Sequence, residues 1–91
     1  MSKETRWEPL LKDGVKGEVF VMNLSQNDTY TFGRIKMMPH SSIPLHPHKI
    51  DCEWYLDEET GETYFCPKGK SHDFVNDSNN IKYLLSVKKA M

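Results

Sequence analysis

No stretch of this chain repeats its apolar residues with the period of a helix. What recurs is a short run with β-forming residues at alternate positions, closed by Gly, Pro, Asn or Asp. That pattern restricts the chain to sheet. About seven such runs can be read, at residues 18–24, 29–38, 45–48, 52–57, 62–66, 72–76 and 81–87. Strands this short, at this regular a spacing, predict an all-β fold, a small antiparallel β-barrel or jelly roll. Residues 1–17 read as an N-terminal arm and residues 18–91 as a single barrel domain. In the arm, Trp7 can cap a barrel end or cross to a second subunit.

The alternation also assigns faces. Cys52, Trp54 and Leu56 share one side of their run, and Glu53, Tyr55 and Asp57 share the other. Near the C-terminus Ile81, Tyr83, Leu85 and Val87 oppose Lys82, Leu84, Ser86 and Lys88. Arg34 and Lys36 keep the parity of Tyr30 and Phe32. Were that face to look inward, Arg34 could hold an anionic ligand; a solvated arginine near a strand end is the plainer expectation. His40-Ser41-Ser42-Ile43-Pro44 reads as a loop, with His40 on its surface rather than serving as ligand or proton shuttle. Pro47 lacks a ladder donor, which makes the 45–48 strand an edge or a bulge.

Composition excludes several classes. Lys plus Arg number 12 against 13 Asp plus Glu, with no long run of one sign, so there is no nucleic-acid or membrane footprint. No apolar stretch nears the roughly 20 residues that span a bilayer. The start of the chain lacks the apolar run of a signal peptide, so a cytoplasmic location is expected. Cys52 and Cys66 can form one disulfide or act as soft ligands; buried or dimer-facing thiols are the simpler reading.

His46, His48, Glu53 and His72 are where chemistry concentrates. His46 and His48 stand two apart and project from one face of a strand, Glu53 follows after a turn-length gap, and the turn Pro67-Lys68-Gly69 delivers His72. Paired strands can bring the four onto one metal ion. Three imidazoles and a carboxylate suit Fe, Mn, Ni, Zn or Cu better than Ca or Mg. Around an octahedral ion they leave two positions for water or a ligand, and a net charge of about +1 that favours an anionic oxygen ligand. Tyr55 shares the face of Glu53 and is the candidate for a catalytic or supporting hydroxyl. Without a metal, the same residues would be hydrogen-bonded polar groups lining a barrel mouth.

At these positions the chain resembles the cupin superfamily. The second cupin motif, Gly-x5-Pro-x-Gly-x2-His-x3-Asn, is met by Gly61, Pro67, Gly69, His72 and Asn76. The first is met at His46, His48 and Glu53, but His40 stands where its opening Gly is usual, and Gly61 closes it one residue late. The resemblance implies a small metal-binding barrel, here without the hairpin that usually separates the motifs. It also implies isomerase-, epimerase-, decarboxylase-, lyase- or dioxygenase-type chemistry on small oxygen-rich molecules. The missing hairpin predicts a shallow lumen open on one side, suited to a small, anionic ligand such as a carboxylate or sugar acid. The alternative is a module that binds metal and ligand, or senses them, without turnover.

A chain of 91 residues buries only roughly 60% of its unfolded surface, so extra stabilisation is expected. Trp7, Cys52, Trp54, Leu56 and Leu84 are candidates for an apolar strip buried in a homodimer. Light scattering at micromolar concentration is expected to give twice the chain mass; a monomer mass would contradict the homodimer.

Overall fold

The structure, a computed structural model, describes residues 7–47 and 51–90, with the side chains of residues 45–47, 51 and 90 outside that description. Eight strands are found: β1 (Glu8–Pro9), β2 (Val19–Gln26), β3 (Tyr30–Met37), β4 (Ser41–Pro47), β5 (Asp51–Asp57), β6 (Thr63–Cys66), β7 (Ser71–Asn76) and β8 (Lys82–Ala90). All pairings are antiparallel. Six strands form one sheet in the order β1-β2-β3-β8-β5-β6, and β4 pairs with β7 as a second sheet. The fold is thus the expected all-β jelly roll, with eight strands rather than about seven.

The extra strand is β1, inside the stretch expected to be an arm. Glu8 and Pro9 pair with Val21 and Phe20, and the Leu10 amide donates to the Val19 carbonyl at 2.8 Å. The expected loop at 40–44 is also mostly strand. Ser41, Ser42 and Ile43 pair with Asn76, Val75 and Phe74, and the register then shifts before His46 meets His72. That bulge absorbs Pro44, which cannot donate to a ladder.

Register sorts the concave face of the large sheet into rows. Thr31, Lys88, Glu53 and Cys66 lie side by side in one; Gly33, Ser86, Tyr55 and Tyr64 in the next; Val21, Ile35, Leu84 and Asp57 in the third. The β4–β7 pair crosses this face. Its Ile43 joins Val19, Met37 and Leu84 in a buried cluster, with Leu10, Val15, Ile35 and Phe74 packed around it. One end of the barrel is therefore filled with hydrocarbon. The polar row containing Glu53 lies toward the other.

One residue expected on an outer strip is not there: Leu84 is 1% exposed because its parity puts it on the concave face. Cys52 keeps the parity of Trp54 but is buried within its own chain. Trp54 remains 40% exposed, its ring 5.0 Å from that of Phe65. Trp7 lies against its own chain, 6.1 Å from Tyr83 and under the Lys36 ammonium at 4.8 Å.

Asn76 ties the two sheets together. Its amide nitrogen donates to the carbonyls of Met37, Met38 and Asn80 at 3.0, 3.2 and 2.9 Å, and its oxygen accepts from the amide and hydroxyl of Ser78. Buried carbonyls that lose such a donor cost about 1–3 kcal/mol each. Asn76→Ala is expected to destabilise the protein by about 3 kcal/mol in urea unfolding. Asn76→Asp is expected to cost more, because it turns an anionic oxygen toward three carbonyls.

Asp57 locks the β5–β6 turn. Burial alone would raise its pKa, but the amides of Glu59 and Thr60 and the Lys82 ammonium at 3.4 Å outweigh burial and hold it below the ordinary carboxylate value. The adjacent Glu58 is also lowered, by its hydrogen bonds from Arg34. A lowered carboxylate contributes stability that is complete above its unfolded pKa of about 4 and is lost as pH falls through the folded value. In urea midpoints measured from neutral pH down to about 2, wild type should lead Asp57→Asn near neutrality. That lead should shrink only below about pH 4.

Candidate metal centre

The centre is built from three side chains on two strands. Alternation along β5 turns Glu53 and Tyr55 into the lumen, where they are 2% and 3% exposed. The Pro67–Lys70 turn, closed by the Lys70 amide on the Pro67 carbonyl at 3.1 Å, leads into β7 and brings His72 to the same place. Gly69 takes a φ of +88° in that turn, a conformation that disfavours any residue with a Cβ.

The Tyr55 hydroxyl joins the two expected donors. It donates its single proton to Oε1 of Glu53, and the same oxygen lies 2.9 Å from Nε2 of His72. One hydroxyl thus bridges the carboxylate and the imidazole. Phe74 holds the rings in place, edge-on to Tyr55 at 4.5 Å and 5.3 Å from His72.

Of the four expected ligands, Glu53 and His72 thus share one hydroxyl oxygen as a partner. The backbone of His46 lies directly opposite His72 in the β4–β7 register, and its side chain lies outside the described residues. His48 lies outside them entirely. Among the described residues no group of three or more His, Cys, Asp or Glu is arranged to hold a metal. The fit to a metal rests on chemistry and placement: a buried carboxylate and an imidazole within reach of one point, with a second histidine's backbone across the ladder.

The other singled-out residues lie elsewhere. Arg34 is on the convex face, where it forms a two-pronged pair with Glu58 at 2.7 and 2.8 Å and covers the Tyr83 ring at 4.7 Å, so it is not a lumen residue. His40 has a φ of +60°, and its Nε2 meets Oδ1 of Asn79 at 2.8 Å. Cys52 and Cys66 are buried on opposite faces of the sheet, Cys52 with its Sγ toward the Lys89 carbonyl and Cys66 with its Sγ toward the Lys70 carbonyl. Tyr64 faces the lumen side but is 41% exposed, its hydroxyl directed to Glu62. Residues not singled out earlier also border the site: Leu10, Lys12, Phe74 and Lys88. Strand parity had already grouped Lys88 with Leu84; what was missing was that this face is the concave one.

Comparison with solved structures places this arrangement in a known setting. The crystal structure of a predicted oxalate decarboxylase from Thermotoga maritima superposes with a TM-score of 0.83, at 28% identity, covering 97% of this chain and 95% of that one. The chain has the cupin fold. Other neighbours are more distant and bear on the fold alone. The polyketide cyclase RemF from Streptomyces resistomycificus gives a TM-score of 0.77 at 21% identity, over 100% of this chain and 81% of that one. The Cnp3 cupin domain of Schizosaccharomyces pombe gives 0.77 at 11% identity, over 80% of this chain and 61% of that one. No protein-family profile and no curated protein matches this chain.

Proposed function

We propose that this chain holds a divalent metal ion through His46, His48, Glu53 and His72 and binds a small carboxylate beside it, with isomerase- or lyase-type chemistry. The observation that carries the reading is the convergence of Glu53 and His72 on the Tyr55 hydroxyl at the polar end of the lumen. The name of the Thermotoga maritima relative supports it, since oxalate is a small carboxylate and decarboxylation is a lyase reaction. A metal ion bound here would supply Lewis-acid polarisation of a ligand carbonyl or carboxylate. The chain's own residues bind and orient. Tyr55 keeps Glu53 and His72 in fixed relative positions, and Phe74 with the apolar lining limits the number of waters beside them.

A second reading, a binding or sensing module without turnover, is favoured by the same hydroxyl. Tyr55 is committed to two partners, and Tyr64 is bound to Glu62 at the rim, so neither phenol stands ready as an acid or base. In either case the exposed pair Trp54 and Phe65 on the convex face is the patch we assign to a homodimer.

Metal analysis of the purified protein is expected to find about one first-row transition ion per chain. Glu53→Gln and His72→Ala should each weaken retention of that ion by at least about tenfold. Titration of the metal-loaded protein with hydroxy and keto acids should show binding that disappears when the metal is stripped. Carboxylate binding unchanged in the stripped protein would overturn the proposal.

A further inference from the structure

Two cavities meet at the polar end of the barrel. One, of about 110 Å³, reaches Tyr55, His72 and Phe74; the other, of about 260 Å³, reaches Thr31, Gly33 and Ser86. Leu10, Val21, Ile35, Glu53 and Lys88 border both. Each is smaller than the roughly 300–1,000 Å³ typical of sites for drug-sized molecules.

Lys88 is the cation placed to act in this space. Register sets it between Thr31 on one side and Glu53 on the other, one strand spacing from each, roughly 4.8 Å. Among the described residues its ammonium makes no ion pair or hydrogen bond. The cations that would compete are engaged elsewhere: Arg34 with Glu58 on the convex face, and Lys82 with Asp57 deeper along the same strand. Lys12 brings a second ammonium to the smaller cavity from the N-terminal segment. Among the described residues, two exposed lysines stand against the single buried carboxylate of Glu53, a positive excess in this lining. A monoanion would leave that excess unmatched.

We infer that Lys88 selects a second carboxylate, and that the ligand is a short dicarboxylate. One carboxylate sits at the Glu53–Tyr55–His72 end and the other on the Lys88 ammonium, with the carbon chain against Leu10, Val21 and Ile35. This inference rests on the small-carboxylate reading proposed above and adds the ligand's second charge. Because Lys88 neighbours Glu53 across a single strand gap, the chain between the two carboxylates is short, on the order of two to four carbons in all.

The experiment titrates metal-loaded full-length protein with malonate, succinate and propionate, in wild type, Lys88→Gln and Lys88→Arg. Wild type should bind the better dicarboxylate at least about tenfold more tightly than propionate, the gain expected of one charge-assisted hydrogen bond. Lys88→Gln should lose about tenfold for that dicarboxylate and change propionate by less than about twofold, and Lys88→Arg should restore the preference. Equal losses for both ligands, or none for either, would overturn selection by Lys88 while leaving metal-dependent carboxylate binding intact. Failure of wild type to bind any of the three acids in a metal-dependent way would overturn the functional proposal itself, and this inference with it.

Discussion

A lumen exists in so short a chain only because a two-stranded sheet is held across a six-stranded one. A lone antiparallel pair is marginal in water, so β4 and β7 depend on attachments to their surroundings. Asn76 provides the firmest of these. Its side chain reaches from the end of β7 to the carbonyls closing β3 and to the turn before β8, its two N–H groups shared among three backbone acceptors. Lys16 and Ser42 add a pair of backbone bonds, at 3.1 and 2.9 Å, from the N-terminal segment to β4. Ile43 and Phe74 then carry the pair onto the hydrocarbon of the large sheet. Every side chain at the polar end inherits its position from that closure, His72 most directly, because it lies four residues before Asn76 on the same strand.

The barrel divides its length between stability and chemistry. Val19, Met37, Ile43 and Leu84 fill one end, where each buried aliphatic side chain is worth about 1.5–3 kcal/mol relative to exposure. The other end can then keep a buried carboxylate, which an apolar interior tolerates only with partners. Tyr55 supplies one without neutralising Glu53. The phenol O–H donates a hydrogen bond to Oε1 of the carboxylate, and its oxygen lies 2.9 Å from Nε2 of His72, so one hydroxyl links the two side chains.

Strand parity carried most of this from residues alone. It put Glu53, Tyr55 and Asp57 on one face and grouped Lys88 with Leu84, both as the register shows. It did not say which grouped face is concave, and so Leu84 was expected outside although it is a core residue. The 40–44 stretch failed for another reason. Two serines and a proline carry little β preference, and Ser41 is a strand residue because it is buried against β7 and its hydroxyl reaches the Met38 carbonyl at 2.7 Å. β1 is two residues held by an edge, below what a pattern can signal. His40 is more instructive. The cupin pattern has Gly there, and the backbone keeps the left-handed conformation that favours Gly even with an imidazole attached, the ring being held by Asn79. The motif glycine is thus a statement about φ at the entry to β4, and it survives in geometry where it is lost in identity.

The absent hairpin between the motifs explains why the site is small. Glu53 and His72 are connected by one tight turn, the four residues of β6 and a second turn, so the wall beside the site is a single short edge strand. Tyr64 and Phe65 of that strand stay open to solvent, and only Cys66, opposite Glu53, is buried. A wall one strand thick cannot keep water from a large reacting surface, which weighs against chemistry that needs a dry pocket. It can enclose a molecule a few atoms long, provided charge rather than apolar area supplies the affinity. The lining offers that charge, with an acidic and a basic side chain adjacent in one row, Ser86 and Tyr55 in the next, and Val21 and Ile35 beyond them.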